Sequence, residues 1–112
     1  MDIDQPRRTR IEHIRAELSR IDIAIPGSVV VRTARCGKSA CSCRADPPRL
    51  HGPYISWTRK VGGKTVTRLL TEQQLADYQP FLHNAQRLRQ LVAELEMLSL
   101  EAVAEDPRWG RI

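Results

Sequence analysis

Three cysteines and one histidine form a compact cluster in the middle of the chain. Cys36, Cys41 and Cys43 lie within eight residues, and seven residues separate Cys43 from His51. Thiolates and imidazole are usual ligands of zinc, and a closed set of three cysteines and one histidine is typical of a structural site. Three cysteines, an odd number, in one short stretch argue against a disulfide framework. The spacing therefore predicts one structural zinc ion per chain, held by Cys36, Cys41, Cys43 and His51.

The spacing leaves parts of this site open. A single residue separates Cys41 from Cys43, which is shorter than the usual spacing of a zinc knuckle. A partner chain, a water molecule or Asp46 is the alternative to His51 as the fourth ligand. Unligated thiols, redox chemistry and another metal are the alternatives to zinc. Gly37, directly after the first cysteine, is predicted to adopt the unusual backbone angles of a tight turn.

Catalysis at this cluster is not predicted, and we expect the chain not to be an enzyme. A catalytic zinc ion needs an open coordination position and a nearby general base. The four predicted ligands fill a tetrahedron, and Asp46 is the one carboxylate between residues 32 and 68. No arrangement of histidine and acid that would activate a nucleophile stands out.

The cluster lies in the most basic part of the chain. The 112 residues carry a net charge of +5, but residues 32–68 alone hold nine Lys or Arg against Asp46. Residues 1–31 hold five basic and five acidic side chains, and residues 69–112 hold four basic and seven acidic ones. A positive field confined to one segment indicates a polyanionic partner; the alternative is a solvated basic surface without a partner.

Short strands are the elements that must position the cluster. Residues 28–33 (SVVVRT) are rich in β-branched side chains and predict a strand that ends just before the first cysteine. Residues 54–61 and 64–70 predict two more strands, and Gly62-Gly63 between them is typical of a type I′ or II′ hairpin. The intervening loop contains three prolines, which are predicted to exclude regular structure. Zinc would then join the end of the first strand to the start of the second.

A helix is predicted before the sheet, over residues 8–22. Its apolar stripe follows helical spacing, and Thr9 with Glu12 is predicted to form a capping box. The stripe consists of Ile11, Ile14, Leu18 and Ile21.

A long amphipathic helix is predicted after the sheet, over residues 71–105. Thr71 followed by Gln74 predicts a capping box at its start. Pro80 is expected either to kink this helix or to divide it into a short helix at 72–78 and a second one. From there the apolar residues follow coiled-coil spacing: Phe81, Ala85, Leu88, Val92, Leu95, Ser99 and Ala102. This stripe predicts a homodimer through residues 81–105, with ordinary intramolecular core as the alternative.

Nucleic acid, and double-stranded DNA in particular, is the favoured partner of the basic segment. A β-ribbon fits the major groove, and Lys and Arg contact phosphates. The candidate contacts are Arg35, Lys38, Arg44, Arg49, Trp57, Arg59, Lys60, Lys64, Thr65, Thr67 and Arg68. The alternative position for Trp57 is the core beneath the sheet. The alternative functions are RNA binding and a scaffold for protein partners without nucleic-acid binding.

Three motifs carry a resemblance to a known group of proteins. The runs CGKSACSC at 36–43, HGPY at 51–54 and WTRKVGGKTVTR at 57–68 resemble a family of small bacterial proteins of unknown function. The resemblance covers about residues 15–100. Members of that family occur near mobile-element genes, which implies an association with DNA transactions. More distantly, residues 57–78 resemble the three-stranded arm-binding domains of tyrosine-type phage integrases, which bind DNA through their sheet.

The sequence as a whole predicts a single small α+β domain over residues 1–112. We expect an N-terminal helix, a three-stranded antiparallel sheet with a zinc-stabilised loop, and a long C-terminal helix. No apolar run approaches the roughly 18 residues of a membrane span, and the charged N-terminus lacks the apolar stretch of a secretory signal. These features predict a cytoplasmic protein, in which thiols stay reduced.

Overall fold

A computed structural model describes residues 1–110 and has the predicted α+β order of elements. The elements are α1 (Gln5–Leu18), β1 (Ser28–Ala34), a 3₁₀ turn (Ser42–Arg44), β2 (His51–Val61), β3 (Lys64–Leu70) and α2 (Glu72–Ala104). Two compact units result: Met1–Ile25 together with the chain from His83 onward, and Pro26–Leu82. In the described part of the chain, no helix is both long enough and apolar enough to cross a membrane.

The three strands form an antiparallel sheet in the order β1-β2-β3, so β1 and β3 are its edges. Val29 on β1 pairs with Trp57 on β2, which pairs with Arg68 on β3. The β2–β3 turn has positive φ at both Gly62 (56°) and Gly63 (81°). This is the geometry of a type I′ turn, which glycine adopts without steric cost. The predicted hairpin is therefore confirmed.

The two faces of the sheet differ in exposure. Ile55 is buried and its neighbours on the same face, Trp57 and Arg59, are half-buried; we call this the covered face. On the opposite, open face, Val30 is 55% exposed and Leu69 is 67% exposed. Alternate residues of a strand point to opposite faces, although Ser56, which pairs with Val30 and Leu69 on the open face, is itself buried.

Strand β2 begins at His51, three residues earlier than predicted. The expectation that proline excludes regular structure was wrong for Pro53. From His51 to Tyr54, β2 is hydrogen-bonded only to β1, because β3 does not extend that far. The pairing is also irregular there, since its register shifts between Arg32 and Ala34. Proline is tolerated at such unpaired edges and bulges.

Helix α1 begins at Gln5, not at residue 8. The Asp4 carboxylate accepts a hydrogen bond from the backbone amide of Arg7 at 3.2 Å, and Pro6 lies in the first turn. Aspartate at the cap and proline in the first turn are both favoured at helix starts. The predicted Thr9–Glu12 capping box was wrong, because both residues lie inside the helix.

Helix α2 begins with the predicted capping box. The backbone amide of Gln74 donates to Thr71 Oγ1 at 3.0 Å, and the amide of Thr71 donates to Gln74 Oε1 at 2.9 Å. The helix then continues through Pro80 to Ala104, so the division into two helices was wrong. Tyr78 and Phe81 stack across the proline with ring centroids 6.5 Å apart, which helps to hold these turns together.

In the first unit, α1 runs antiparallel to the C-terminal part of α2. Ile14 and Leu91 are fully buried, and the other buried apolar side chains of this unit are Ile11, Ala85 and Ala102. Ion pairs connect the two helices from end to end: Arg7 with Glu101 and with Glu105 just after α2, Arg10 with Glu94, and Arg87 with Glu17. Part of the apolar stripe of α2 is therefore intramolecular core, as the alternative reading of the sequence allowed.

Candidate metal centre

The four predicted ligands lie close together in the second unit. One ligand atom from each of Cys36, Cys41, Cys43 and His51 falls within 4.8 Å of the other three. The sulfurs of Cys36 and Cys43 are 3.7 Å apart, and Cys41 Sγ is 3.1 Å from His51 Nε2. The arrangement is compatible with one structural metal site.

The distance between two of the sulfurs fits a small tetrahedral ion. Zn–S bonds of about 2.3 Å set sulfur atoms about 3.8 Å apart in a tetrahedron, close to the 3.7 Å between Cys36 and Cys43. The pair of Cys41 and His51 is closer than a tetrahedral edge and has the length of a hydrogen bond. Among residues 1–110 the cluster contains no carboxylate, and Asp46 is exposed. His51 is therefore the fourth residue that the fold supplies.

Backbone pairing brings the two ends of the cluster together. Ala34, at the end of β1, pairs with His51, at the start of β2, so Cys36 and His51 are held near each other by the sheet. Cys41 precedes the 3₁₀ turn and Cys43 lies inside it, which corrects the expectation that the whole loop lacks regular structure. The backbone amide of Cys36 donates to Cys43 Sγ at 3.4 Å, which aims that sulfur at the strand end.

Gly52, not Gly37, is the glycine whose backbone conformation matters here. The expectation for Gly37 was wrong, since its φ is not positive and a Cβ on it would meet no atom within 4 Å. Gly52 has a φ of +119°, and a Cβ there would lie 3.0 Å from the carbonyl oxygen of Arg32. The sequence signal for this conformation is the glycine between His51 and Pro53.

The loop between the strands has almost no core apart from the cysteines. In residues 35–50, Cys43 is the one buried side chain, and Cys36 and Cys41 are half-buried; every other residue of this loop is exposed. A loop without apolar burial needs another source of order. The hydrogen bond from Arg44 Nη2 to the carbonyl oxygen of Cys36, at 2.6 Å, is one such source. The cysteine cluster is the other.

Local hydrogen bonds favour the metal-binding form of one thiol. A backbone hydrogen bond from Cys43, with further ones from His51 and the other two cysteines, lowers the pKa of Cys41 to about 6. Cys36 behaves differently: a backbone hydrogen bond with Lys38 lowers its pKa, but burial and the neighbouring thiols outweigh this and raise it. The thiolate is the form that ligates metals, and Cys41 reaches it most readily.

The predicted nucleic-acid contacts fall into three groups. The loop carries Arg35, Lys38, Arg44 and Arg49, which are all exposed. The open face of the sheet carries Lys60, Thr65 and Thr67, whereas Trp57, Arg59, Lys64 and Arg68 belong to the covered face. Strand alternation therefore places the hairpin residues on opposite faces, and they do not form one continuous surface.

Trp57 and Arg59 support each other and the fold. Trp57 Nε1 donates to the carbonyl oxygen of Pro26 at 3.0 Å, and the Arg59 guanidinium lies 4.7 Å from the centre of the Trp57 ring. Both side chains are half-buried, so Trp57 occupies the position beneath the sheet that the sequence offered as its alternative.

The basic side chains of residues 32–68 form no ion pair with any other residue in the described range 1–110. The ion pairs that link residues 1–110 involve five arginines, and all five lie outside this segment. Those arginines are Arg7, Arg10, Arg15, Arg87 and Arg108. The positive charge that the sequence concentrates in the second unit therefore remains free to act on a partner.

Comparison with known proteins identifies a family for this chain. The family model described as Domain of unknown function (DUF6788) matches residues 4–80, and the chain belongs to that family. The match includes α1, the cysteine cluster, the whole sheet and the first turns of α2. No curated protein and no solved structure matches the chain.

Proposed function

We propose that this member of the family is a zinc-stabilised nucleic-acid-binding protein. In this proposal Cys36, Cys41, Cys43 and His51 hold one structural zinc ion. The observation that supports this proposal is that the same residues of one loop are both shielded from solvent and grouped together. The cysteines are the only shielded side chains of residues 35–50, and their sulfurs converge with an imidazole nitrogen within 4.8 Å.

Zinc is the metal that suits this set of ligands. Thiolate and imidazole together select zinc over calcium or magnesium, which prefer oxygen ligands. Four protein ligands complete a tetrahedron and leave no position for a substrate, so the role is structural. The bound ion would supply folding free energy to a loop that has no other core. His51 and Cys36 would then fix the end of β1 against the start of β2.

The unpaired cations of the second unit support nucleic acid as the partner. Each arginine and lysine between residues 32 and 68 lacks an ion pair to any residue among 1–110, whereas five arginines elsewhere have one. Charges placed together and left uncompensated attract polyanions. The phosphate backbone is the natural partner, because its neutralisation releases counterions.

Exposed cations are the residues that we assign to phosphate contacts. Lys60, Lys64 and Arg68 on the hairpin are exposed, as are Arg35, Lys38, Arg44 and Arg49 in the loop. Lys60 is positioned by a hydrogen bond from its Nζ to Thr65 Oγ1 at 2.7 Å. Trp57 and Arg59 are assigned a supporting role, because they are stacked on each other and half-buried.

Metal analysis of protein purified without added zinc tests the first half of the proposal. We expect about one zinc ion per chain. When a chelator removes the metal, residues 35–50 should lose their ordered structure, which is measured as loss of amide-exchange protection in this loop. Cys43→Ser should lower the zinc content, whereas Ser42→Ala, next to it and exposed, should not. Protein that is free of metal and still protected in this loop would refute the site.

Binding measurements at several salt concentrations test the second half. Duplex DNA is the first probe, because a β-ribbon fits its major groove; single-stranded DNA and RNA of the same length are the others. Affinity for the preferred probe should fall steeply with salt, by a logarithmic slope of about 0.9 per neutralised phosphate of duplex DNA.

A charge-matched pair of variants separates an effect of the basic hairpin from a general charge effect. Replacement of Lys60, Lys64 and Arg68 by alanine should reduce the salt slope by about 2 to 3 and weaken binding strongly. Replacement of Arg8, Arg15 and Arg20, which lie in or just after α1 in the first unit, removes the same charge and should change binding little. Equal losses in the two variants, or no binding to any probe at low salt, would exclude this function. If no probe binds but the chain holds one zinc ion, the remaining function is a scaffold for protein partners.

A further inference from the structure

The outer side of α2 carries an apolar face that the first unit leaves uncovered. Leu88 and Val92 are 36% and 38% exposed, Met97 is 52% exposed and Leu100 is 62% exposed. Together with Ala93 these side chains line a shallow groove along the helix. We call residues 88–100 on this side the outer face. It is distinct from the side that meets α1, where Leu91 and Ala102 are buried and Glu94 pairs with Arg10.

Three charged side chains line this groove, Arg89, Glu96 and Glu101, and of these Glu101 pairs with Arg7 of α1. Arg89 and Glu96 both line the groove, and both are exposed. They are seven residues apart, which is about 10 Å along a helix and too far for a direct ion pair. Neither of them forms an ion pair with a residue in the described range 1–110. The helix around them is rich in ion pairs, so these two are exceptions.

We propose that the outer face binds a second copy of the chain, with the two helices antiparallel. A two-fold axis between Val92 and Ala93 places Arg89 of one copy opposite Glu96 of the other, and the reverse pair forms by symmetry. Leu88 then lies opposite Met97, and Val92 opposite Ala93. A two-fold interface must be self-complementary, and this face meets that requirement in charge and in apolar contact.

The charges also select the orientation. In a parallel pair of helices, Arg89 would lie beside Arg89 and Glu96 beside Glu96, and like charges in contact oppose association. In the antiparallel pair each cation meets an anion. An unrelated acidic or basic partner would satisfy only one of these two residues, whereas a second copy satisfies both. This choice of occupant depends neither on the metal nor on nucleic acid.

The outer face differs from the apolar stripe of α2 that the sequence predicts as the dimer surface. Ala85 and Ala102 of the predicted stripe are buried within the first unit, so they are not open to a second chain. Leu88 and Val92 are shared by the predicted stripe and the outer face. The contact with a second copy therefore includes Ala93 and Met97, which lie outside the predicted stripe.

Charge reversal at the two positions gives a specific test. Sedimentation velocity or light scattering of the full, metal-replete chain under reducing conditions should show a dimer at tens of micromolar. Arg89→Glu places four acidic groups at the centre of the interface, and Glu96→Arg places four basic ones there. Each variant should dimerise at least about tenfold more weakly than the wild type, given the size of close charge pairs.

The decisive sample is an equimolar mixture of the two variants. The mixed pair restores both ion pairs, so R89E and E96R should associate with each other more strongly than either associates with itself. Arg20→Glu is the matched control, because it makes the same charge change at an exposed site just after α1 and should dimerise normally. A monomeric wild-type chain, single variants that dimerise as well as the wild type, or a mixture that behaves as the sum of its components would each overturn the proposal.

Discussion

Gly52 directly follows the histidine of the candidate metal centre, and its φ of +119° lies in a region that residues with a Cβ rarely adopt. A Cβ at this position would lie 2.9 Å from the backbone nitrogen of Tyr54 and 3.0 Å from the carbonyl oxygen of Arg32. Both atoms belong to the paired backbones of β1 and β2, so neither can rotate away as a flexible side chain would. Gly52→Ala must therefore shift the strand pairing beside His51.

The cost of this substitution can be worked from the local geometry. A residue forced into a sparsely populated backbone region costs about 1–3 kcal/mol, and the close contacts place Gly52→Ala in the upper part of that range, about 2–3 kcal/mol. In the proposal that the metal fixes the end of β1 against the start of β2, this cost opposes formation of the metal-bound site. Metal affinity should therefore fall roughly 30- to 160-fold.

A competition titration with a chromophoric chelator measures this loss. The control is Gly37→Ala: Gly37 also follows a predicted ligand directly, but its φ is not positive and a Cβ on it would meet no atom within 4 Å. We expect the control to keep the wild-type affinity to within about twofold. If Gly52→Ala retains wild-type affinity, strand pairing and metal binding are not coupled. If both variants lose affinity equally, the effect is not specific to the geometry of Gly52.

Three further predictions concern the stability of the fold. Ile14→Ala, at a fully buried position, should reduce the free energy of unfolding measured by urea titration by about 2–5 kcal/mol. The control Ile23→Ala, at a site that is 53% exposed, should change it by no more than about 0.5 kcal/mol. Similar losses in the two variants would contradict the assigned core. Thr71→Ala removes the hydroxyl that accepts from the amide of Gln74 and should cost about 1 kcal/mol, seen as fraying of the first turn of α2 by amide exchange; unchanged protection would contradict a role for this cap. Hydrogen bonds from Arg10 lower the pKa of Glu94, and those from Arg7 lower the pKa of Glu105, below the ordinary carboxyl value of 4.5. A carboxyl group with a lowered pKa stabilises the fold at pH above its unfolded-state pKa, and this stability is lost as the pH falls through its folded-state pKa. The urea midpoint should therefore drop when the pH falls below about 4.5. Arg10→Gln should make that drop smaller, and an unaltered pH profile would argue against the Arg10–Glu94 contribution.

The strands and the capping of α2 were predictable because their signals are local. β-branched runs, a Gly-Gly turn and the Thr71–Gln74 pair each act within a few residues, and the structure reproduces all three. The start of α1 also has a local signal, Asp4 followed by Pro6, but Thr9 and Glu12 form an equally plausible capping pattern in sequence. Only the structure distinguishes them, because the hydrogen bond to Asp4 forms and the Thr9 pattern falls inside the helix.

Other features depended on tertiary pairing that a single sequence does not display. Pro53 lies within β2 because β3 ends before it reaches this position. The length of β3 relative to β2 therefore leaves Pro53 without a partner strand on that side. Helix α2 continues through Pro80 although proline disfavours helix interiors. The candidate ligands were identifiable from their residue types. The importance of Gly52, in contrast, follows from its close approach to β1 at Arg32, 20 residues earlier in the chain.

The two edge strands of the sheet differ in how well they are protected against pairing with a strand of another chain. Strand β3 carries Lys64 and Arg68, and charged side chains on an edge discourage further strands from adding to it. Strand β1 begins with the uncharged run Val29–Val31 before Arg32, so its first half has no such protection. Its far end stops two residues before Cys36, close to the site that would fix it to β2. Removing the metal should therefore release the less protected edge, and the metal-free chain should aggregate through β1 at concentrations where the metal-bound chain stays dispersed.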